Sequence, residues 1–186
     1  MHNVGVIVGS LRRDSINRKL ANALVKRAAG KLDCHFIEIG DLPLYNEDLW
    51  KPTPPPAVLR LKQEVRAADA ILLVTPEYNR SIPPAVKNAI DWANRPFGDN
   101  AWAGKPAGLV GASPGAIGTA VAQAALKSLF SVVDARLMGQ PEVYITWKDD
   151  LVDANGAFAN EKTAAFIDKW IDHFVAWIDQ HQALSS

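Results

Sequence analysis

The sequence predicts an α/β protein in which a parallel sheet of five strands has helices on both faces. Two observations favour this fold class. Short apolar runs of strand length alternate along the chain with longer segments whose apolar residues recur at helical spacing. The run Ala70–Thr75 is apolar at consecutive rather than alternate positions, which is typical of a strand buried on both faces.

Five segments are predicted strands. The first is a β-branched run that ends at Gly9, and the third ends at Pro76, which disfavours helix for the residue before it. The second alternates loosely between apolar and polar residues. The five predicted strands span residues 3–8, 34–39, 70–75, 106–111 and 141–146.

Five segments with apolar residues three or four positions apart are predicted helices. The first stops near Gly30, and the third begins at the Pro83-Pro84 pair because proline fits the first turn of a helix. The predicted helices cover residues 16–28, 58–68, 85–92, 120–133 and 166–178, and the longer irregular loops cover 41–56, 94–105 and 149–160.

Right-handed crossovers leave few topologies for such a chain. One of them is the flavodoxin-like three-layer fold with strand order 2-1-3-4-5, in which strands one and three flank the point where the winding reverses. No repeat, low-complexity tract or composition shift divides the sequence. Residues 1–186 are therefore predicted to form a single domain.

Composition excludes several classes of protein. The sequence has twenty basic and twenty acidic side chains, so it has no net positive charge that would favour nucleic acid as a partner. The chain lacks the apolar run of about 18 residues that spans a bilayer, and Met1–Val4 does not resemble a signal peptide. Cys34 is the only cysteine, and the four histidines have no metal-ligand spacing. We therefore expect a cytoplasmic protein without a bound metal and without membrane insertion.

The loop after strand one has the features of a phosphate site. It ends at a helix start, where backbone N–H groups lack partners and the helix dipole is positive. Ser10 and Ser15 add hydroxyl groups, Arg12 adds charge, and Asn17 either caps the helix or bonds the ligand. Neither a nucleotide P-loop nor a Gly-x-Gly-x-x-Gly fingerprint is present. The alternative is an ordinary cap at Ser15 or Asn17, with Arg12 in solvent.

The loops after strands three and four reach the same edge of the sheet. Tyr78 offers a flat ring between the polar side chains of Glu77 and Asn79, a combination that suits a planar ligand with polar edges. The alternative for Tyr78 is an exposed loop aromatic, and for Ser113 and Gly115 it is an ordinary strand-to-helix turn. Three such loops at the carboxyl ends of parallel strands favour one shared binding crevice.

The motif Gly9–Arg12 with Ser15 and Asn17, followed by Pro76–Asn79 and residues 87–92, resembles the NADPH-dependent FMN reductase family. The likeness extends over residues 4–145 and is greatest for the branch of quinone and chromate reductases. It implies FMN as cofactor and NADPH or NADH as hydride donor. The FMN-binding residues it implies are Ser10, Leu11, Arg12, Ser15, Ile16, Asn17, Pro76, Glu77, Tyr78, Asn79, Ser113 and Gly115.

The resemblance further implies a homodimer or homotetramer and a ping-pong transfer of two electrons from the flavin N5 to a small-molecule acceptor. Quinones, chromate, azo compounds and free flavin all fit an open flavin, and no catalytic acid or base is named. A non-enzymatic electron carrier of the flavodoxin type is the alternative, although such carriers are very acidic and this chain is neutral. A phosphate-binding regulator without redox chemistry is a third possibility. The sequence indicates no role for Arg13, Arg80 or the Pro52–Pro56 stretch. It also does not indicate whether the protein prefers NADH or NADPH as donor.

Overall fold

A parallel β-sheet forms the centre of the molecule. The computed structural model describes residues 1–182. The strand order is β2-β1-β3-β4, and β5 and β6 both pair with the other edge of β4. The strands are β1 (His2–Val8), β2 (Leu32–Phe36), β3 (Ala70–Thr75), β4 (Pro106–Ser113), β5 (Arg136–Leu137) and β6 (Val143–Thr146).

The predicted order 2-1-3-4-5 is confirmed, with one correction at the fifth position. Two short pieces, β5 and β6, occupy the place of a single strand. The Met138 N–H still donates to the Ala107 carbonyl at 2.8 Å, but residues 139–142 leave the ladder, and they include Pro141, which has no N–H to donate. The piece Arg136–Leu137 was missed because two residues are too short to show a period.

Further bounds differ from the prediction. The fourth strand extends to Ser113, which was expected in the following loop, and the last helix covers Glu161–Gln182 instead of 166–178. The second strand is shifted towards the amino terminus, with Leu32 opposite His2, although the Ile37 N–H still donates to the Val6 carbonyl at 2.9 Å. The segment 41–56, predicted to be irregular, contains a short 3-10 helix at Glu47–Trp50. Its first turn is capped by the Asn46 side chain, which accepts from the Asp48 N–H at 3.0 Å.

Helices cover both faces of the sheet, as predicted. The apolar sides of α1 and α5 pack on one face together with Val4, and those of α2, α3 and α4 pack on the other together with Ile7. No helix within residues 1–182 is long and apolar enough to cross a membrane. The helices are α1 (Ile16–Ala28), α2 (Pro56–Ala67), α3 (Pro84–Ala93), α4 (Ala120–Val132) and α5 (Glu161–Gln182).

Candidate functional site

Loops 9–15, 76–83 and 114–119, which follow β1, β3 and β4, lie at the carboxyl edge of the sheet. We call them loop 1, loop 3 and loop 4. Loop 1 approaches α3 and loop 3 closely at Gly9, where an added Cβ would lie 2.6 Å from Val86 of α3 and 3.0 Å from Pro76 of loop 3. The Gly9 N–H also donates to the Val74 carbonyl at 2.8 Å. Glycine is required here because a side chain would collide with Val86 and Pro76.

The start of α1 presents hydrogen-bond donors that the protein does not use. Ser15 is the N-cap, and its Oγ accepts from the Arg18 N–H at 3.2 Å. Within residues 1–182 no acceptor meets the backbone N–H of Ile16 or Asn17, and the hydroxyl of Ser10, which is 7% exposed, has no partner there either. Unpaired donors at a helix amino terminus are suited to an anion.

Asn17 joins α1 to the end of β4. Its Nδ2 donates to the Ala112 carbonyl at 2.9 Å, and its Oδ1 accepts from the Ala112 N–H at 3.0 Å. From sequence, Asn17 is expected either to cap the helix or to bond the ligand. The cap is Ser15, and the buried amide of Asn17 is occupied by β4, so any bond of Asn17 to a ligand falls to its backbone N–H.

Glu77 joins loop 3 to α4. Its side chain is only 5% exposed, and its Oε2 accepts from the N–H groups of Val121 and Ala122, each at 3.0 Å. Its Oε1 accepts from Arg80 at 3.0 Å. The N-cap residue of α4, Thr119, makes no side-chain cap, so the carboxylate of Glu77 performs that function from another loop.

Tyr78 lies at one end of a tight hairpin. The N–H groups of Tyr78 and Ser81 each donate to the other residue's carbonyl, at 3.2 and 3.0 Å. The two residues between them, Asn79 and Arg80, have φ angles of 51° and 59°. Two consecutive positive φ angles define the type I′ hairpin, in which arginine is unusual. The hairpin leaves Tyr78 40% exposed.

Loop 4 is held by bonds to Ser113, the last residue of β4, and to Thr146 of β6, whose Oγ1 donates to the carbonyls of Gly115 and Ala116 at 3.3 and 3.2 Å. The Ser113 hydroxyl donates to the Gly118 carbonyl at 2.5 Å and accepts from the Gly115 N–H at 3.2 Å. Gly118 has a φ of +59°, and a Cβ there would lie 2.9 Å from the backbone of β6. Ser113 therefore shapes the loop, and Gly115 is on the surface.

A cavity of about 410 Å³ opens between loops 1 and 3. We call it the tyrosine cavity. Leu11, Arg12 and Tyr78 line it, so two predicted site segments that are more than sixty positions apart in sequence meet there. Arg12 forms no ion pair within residues 1–182, which leaves its guanidinium available to a ligand. Ser10 lines a neighbouring cavity, while Ser113 and Gly115 lie beyond both of these cavities.

Two residues of the cavity wall, Pro84 and Ala85, were missed from sequence. The Pro83-Pro84 pair correctly predicted that α3 starts directly after loop 3. From that start, the first turn of α3 could have been expected at the carboxyl edge of the sheet, where the site lies. The Pro52–Pro56 stretch is not part of the tyrosine cavity's wall, and its last residue is the first of α2.

Fold and site together define a flavodoxin-like α/β protein with an anion-accepting helix start and an exposed aromatic residue at the same edge of the sheet. A flavodoxin from Pseudomonas aeruginosa shares the fold at 19% identity and a TM-score of 0.56, covering 95% of this chain and 99% of that one. The model of the NADPH-dependent FMN reductase family matches residues 2–149. The chain belongs to that family, which confirms the resemblance and implies FMN and NAD(P)H as cofactor and donor.

Similar proteins match over nearly the whole chain. A 2-hydroxy-1,4-benzoquinone reductase from Burkholderia is 45% identical over 94% of this chain and 95% of its own. A quinone reductase from Pseudomonas putida is also 45% identical, over 99% and 98%. The solved structure of FerB from Paracoccus denitrificans, a flavoenzyme NAD(P)H:acceptor oxidoreductase, is 51% identical with a TM-score of 0.94, covering 97% of this chain and 99% of that one.

Proposed function

We propose that this protein is an FMN-dependent NAD(P)H oxidoreductase that passes two electrons to quinones. The main support is the similarity to relatives named quinone reductases at 45% identity over nearly their full length. The second support is local. The family's cofactor needs an anion site and a flat wall, and the unpaired donors at the start of α1 are at the same edge of the sheet as an open cavity with Tyr78 in its wall.

In this proposal the start of α1 holds the FMN phosphate. The backbone N–H groups of Ile16 and Asn17, together with the hydroxyl of Ser10, donate to phosphate oxygens. The Arg12 guanidinium adds charge-assisted bonds. The helix dipole favours the same negative charge, because its positive end lies there.

The residues that would hold the ring system of FMN are Pro76 to Asn79 of loop 3 together with Ser113 at the end of β4 and Gly115 of loop 4. When bound, FMN supplies hydride acceptance from NAD(P)H and two-electron donation to the quinone. The backbone N–H groups of Glu77 and Asn79 meet no acceptor within residues 1–182. They would stabilise negative charge on the ring by the logic of an oxyanion hole.

The tyrosine cavity also supports a shared site for donor and acceptor. With a ring along loop 3, NAD(P)H and a quinone approach through the same opening, so each has to leave before the other binds. We therefore propose a ping-pong order. Initial rates against NADPH at several benzoquinone concentrations should give parallel double-reciprocal lines, and converging lines would contradict the shared site.

The experiment that tests the function uses purified protein loaded with FMN, NADPH and a benzoquinone, with no other protein present. We expect sustained NADPH oxidation that depends on the quinone. A non-enzymatic carrier would bind FMN but show no sustained turnover by itself. A regulator without redox chemistry would retain no FMN after desalting.

We also propose a homo-oligomer located in the cytoplasm. Large apolar side chains are exposed at Phe97, Leu44 and Val132, with exposures of 99%, 81% and 79%, and such groups are often covered by a second subunit. A cytoplasmic location would give the enzyme its supply of NAD(P)H. Light scattering should give a dimer or tetramer, and cell fractionation should recover the protein with cytoplasmic markers.

A further inference from the structure

A second cavity of about 410 Å³ lies on the other side of loop 1. Three arginines line it, Arg12, Arg13 and Arg18, opposite residues 37–40 at the carboxyl end of β2. We call it the arginine cavity. It shares Leu11 and Arg12 with the tyrosine cavity, so the two cavities are neighbours.

The charge in this cavity is positive. Glu38 is its one acidic lining residue, and it is paired with Arg18 at 3.1 Å. The Arg18 guanidinium also lies 4.5 Å from the centre of the Phe36 ring. These two contacts hold Arg18 at the wall and offset the charge of Glu38. Arg12 is assigned to the FMN phosphate in the proposed function, so Arg13 remains as the excess positive charge.

Arg13 has no strong partner in the protein. It only approaches Asp14, at 4.0 Å, and the side chains of Arg13 and Asp14 are both largely in solvent. An exposed pair of this kind is too weak to hold the guanidinium away from an incoming anion. With FMN bound, the cavity thus offers the free guanidinium of Arg13 beside the fixed guanidinium of Arg18 in an open site, which is suited to an anion that enters and leaves in each turnover.

We propose that the arginine cavity binds the 2′-phosphate of NADPH and so makes NADPH the preferred donor over NADH. This inference rests on the proposed function. The nicotinamide of the donor would enter the tyrosine cavity, and the adenosine end would extend past Leu11 into the adjoining cavity. A phosphomonoester matches the planar fork of a guanidinium, and NADH has no such group. Because Arg18 neutralises Glu38, that carboxylate does not repel the phosphate.

A binding experiment on the FMN-loaded protein tests this separately from turnover. The probes are adenosine 2′,5′-bisphosphate and 5′-AMP, which differ in the 2′-phosphate alone, and binding is measured by calorimetry. We expect the bisphosphate to bind about tenfold more tightly, and Arg13→Ala or Arg18→Ala to remove most of that difference. Lys19→Ala is the matched control, because Lys19 is an exposed cation next to Arg18 that does not line the cavity.

Kinetics give the second readout. In Arg13→Ala and Arg18→Ala the KM for NADPH should rise about tenfold, while the KM for NADH and the FMN content stay as in the parent protein. Equal binding of the two probes, equal changes for both donors, or competition of the bisphosphate with FMN would overturn the inference. Failure of the proposed function looks different, because then neither donor is oxidised at all. Arg13 has no packed partner, so its variant tests the idea even if Arg18→Ala is poorly folded.

Discussion

The carboxylate of Glu77 is the cap of a helix that begins more than forty residues later, with its Oε2 at 3.0 Å from the Val121 N–H. The same oxygen accepts from Ala122, and the side chain is almost completely buried. Loop 3 and the start of α4 are thereby fixed to each other. Asn17 forms the comparable connection between α1 and β4. The three loops of the site are thus connected by two buried polar side chains.

Replacing Glu77 should destabilise the protein without a ligand present. Glu77→Ala removes the cap of α4, and we expect the free energy of unfolding of the FMN-free protein to fall by about 1–2 kcal/mol. Urea denaturation measures this. Glu161→Ala is the control, since Glu161 is also in the first turn of a helix but is exposed, and its effect should stay within about 0.5 kcal/mol. Equal effects of the two variants would contradict the capping role.

Asn17→Ala should also destabilise the FMN-free protein. The change leaves the N–H and the carbonyl of Ala112 buried without partners, which costs about 1–3 kcal/mol for each unsatisfied group. Asn155→Ala is the control, because the Asn155 side chain is exposed and makes no bond within residues 1–182. If Asn17→Ala weakens FMN binding but leaves urea stability unchanged, its amide acts on the ligand and not on β4.

Arg12 and Tyr78 should differ in their effect on FMN affinity. A charge-assisted bond is worth about 1.5–3 kcal/mol, so Arg12→Ala should weaken FMN binding about ten- to a hundredfold. Aromatic contact is worth about 0.5–1.5 kcal/mol, so Tyr78→Ala should weaken it by about tenfold at most. Quenching of flavin fluorescence during titration measures both, with Lys19→Ala as the control. Arg12→Ala with the affinity of the parent protein would refute the assigned phosphate contact.

Glu142 makes part of the stability depend on pH. Hydrogen bonds from Lys127 and from Tyr144 hold the pKa of its carboxyl below the ordinary value. A carboxyl with a lowered folded pKa stabilises the fold above its unfolded pKa, about 4.3, and this stability is lost as pH falls through the folded pKa. The parent protein should therefore exceed Glu142→Gln in stability near neutral pH, and the difference should shrink in acid.

Urea denaturation at several pH values measures the Glu142 effect. Asp149→Asn serves as control, because Asp149 is exposed and makes no hydrogen bond or ion pair within the described part of the chain. If the difference in free energy of unfolding between the parent protein and Glu142→Gln stays constant as the pH falls, the stabilisation by Glu142 does not come from its charge.

Long periodic segments could be predicted from sequence because each has enough residues to show its pattern. The buried run of β3 and the apolar side of α1 are examples. The division of the fifth strand was not predictable in this way, since β5 has two residues and only its pairing with Pro106 and Ala107 reveals it. The pairing of β5 with β4 exists only in the folded sheet and leaves no pattern in the local sequence.

The site was predicted by residue type, and the structure adds which atoms are already occupied. Glu77 and Asn17 are polar residues at the expected edge, yet their side chains bond to backbone groups of α4 and β4. No local pattern distinguishes such a connection from a ligand contact, because the partners are more than forty residues away. The arginine cavity was missed for the same reason, since Arg13 and Glu38 come from different loops.

The central claim is that FMN binds where loops 1, 3 and 4 meet and there passes electrons from NADPH to a quinone. The most direct test is the absorbance of the purified, FMN-loaded and desalted protein in the absence of oxygen. We predict a yellow protein that is bleached by one equivalent of NADPH and regains its colour when a benzoquinone is added. A protein that keeps no flavin after desalting, or whose flavin stays yellow with NADPH, would contradict the account.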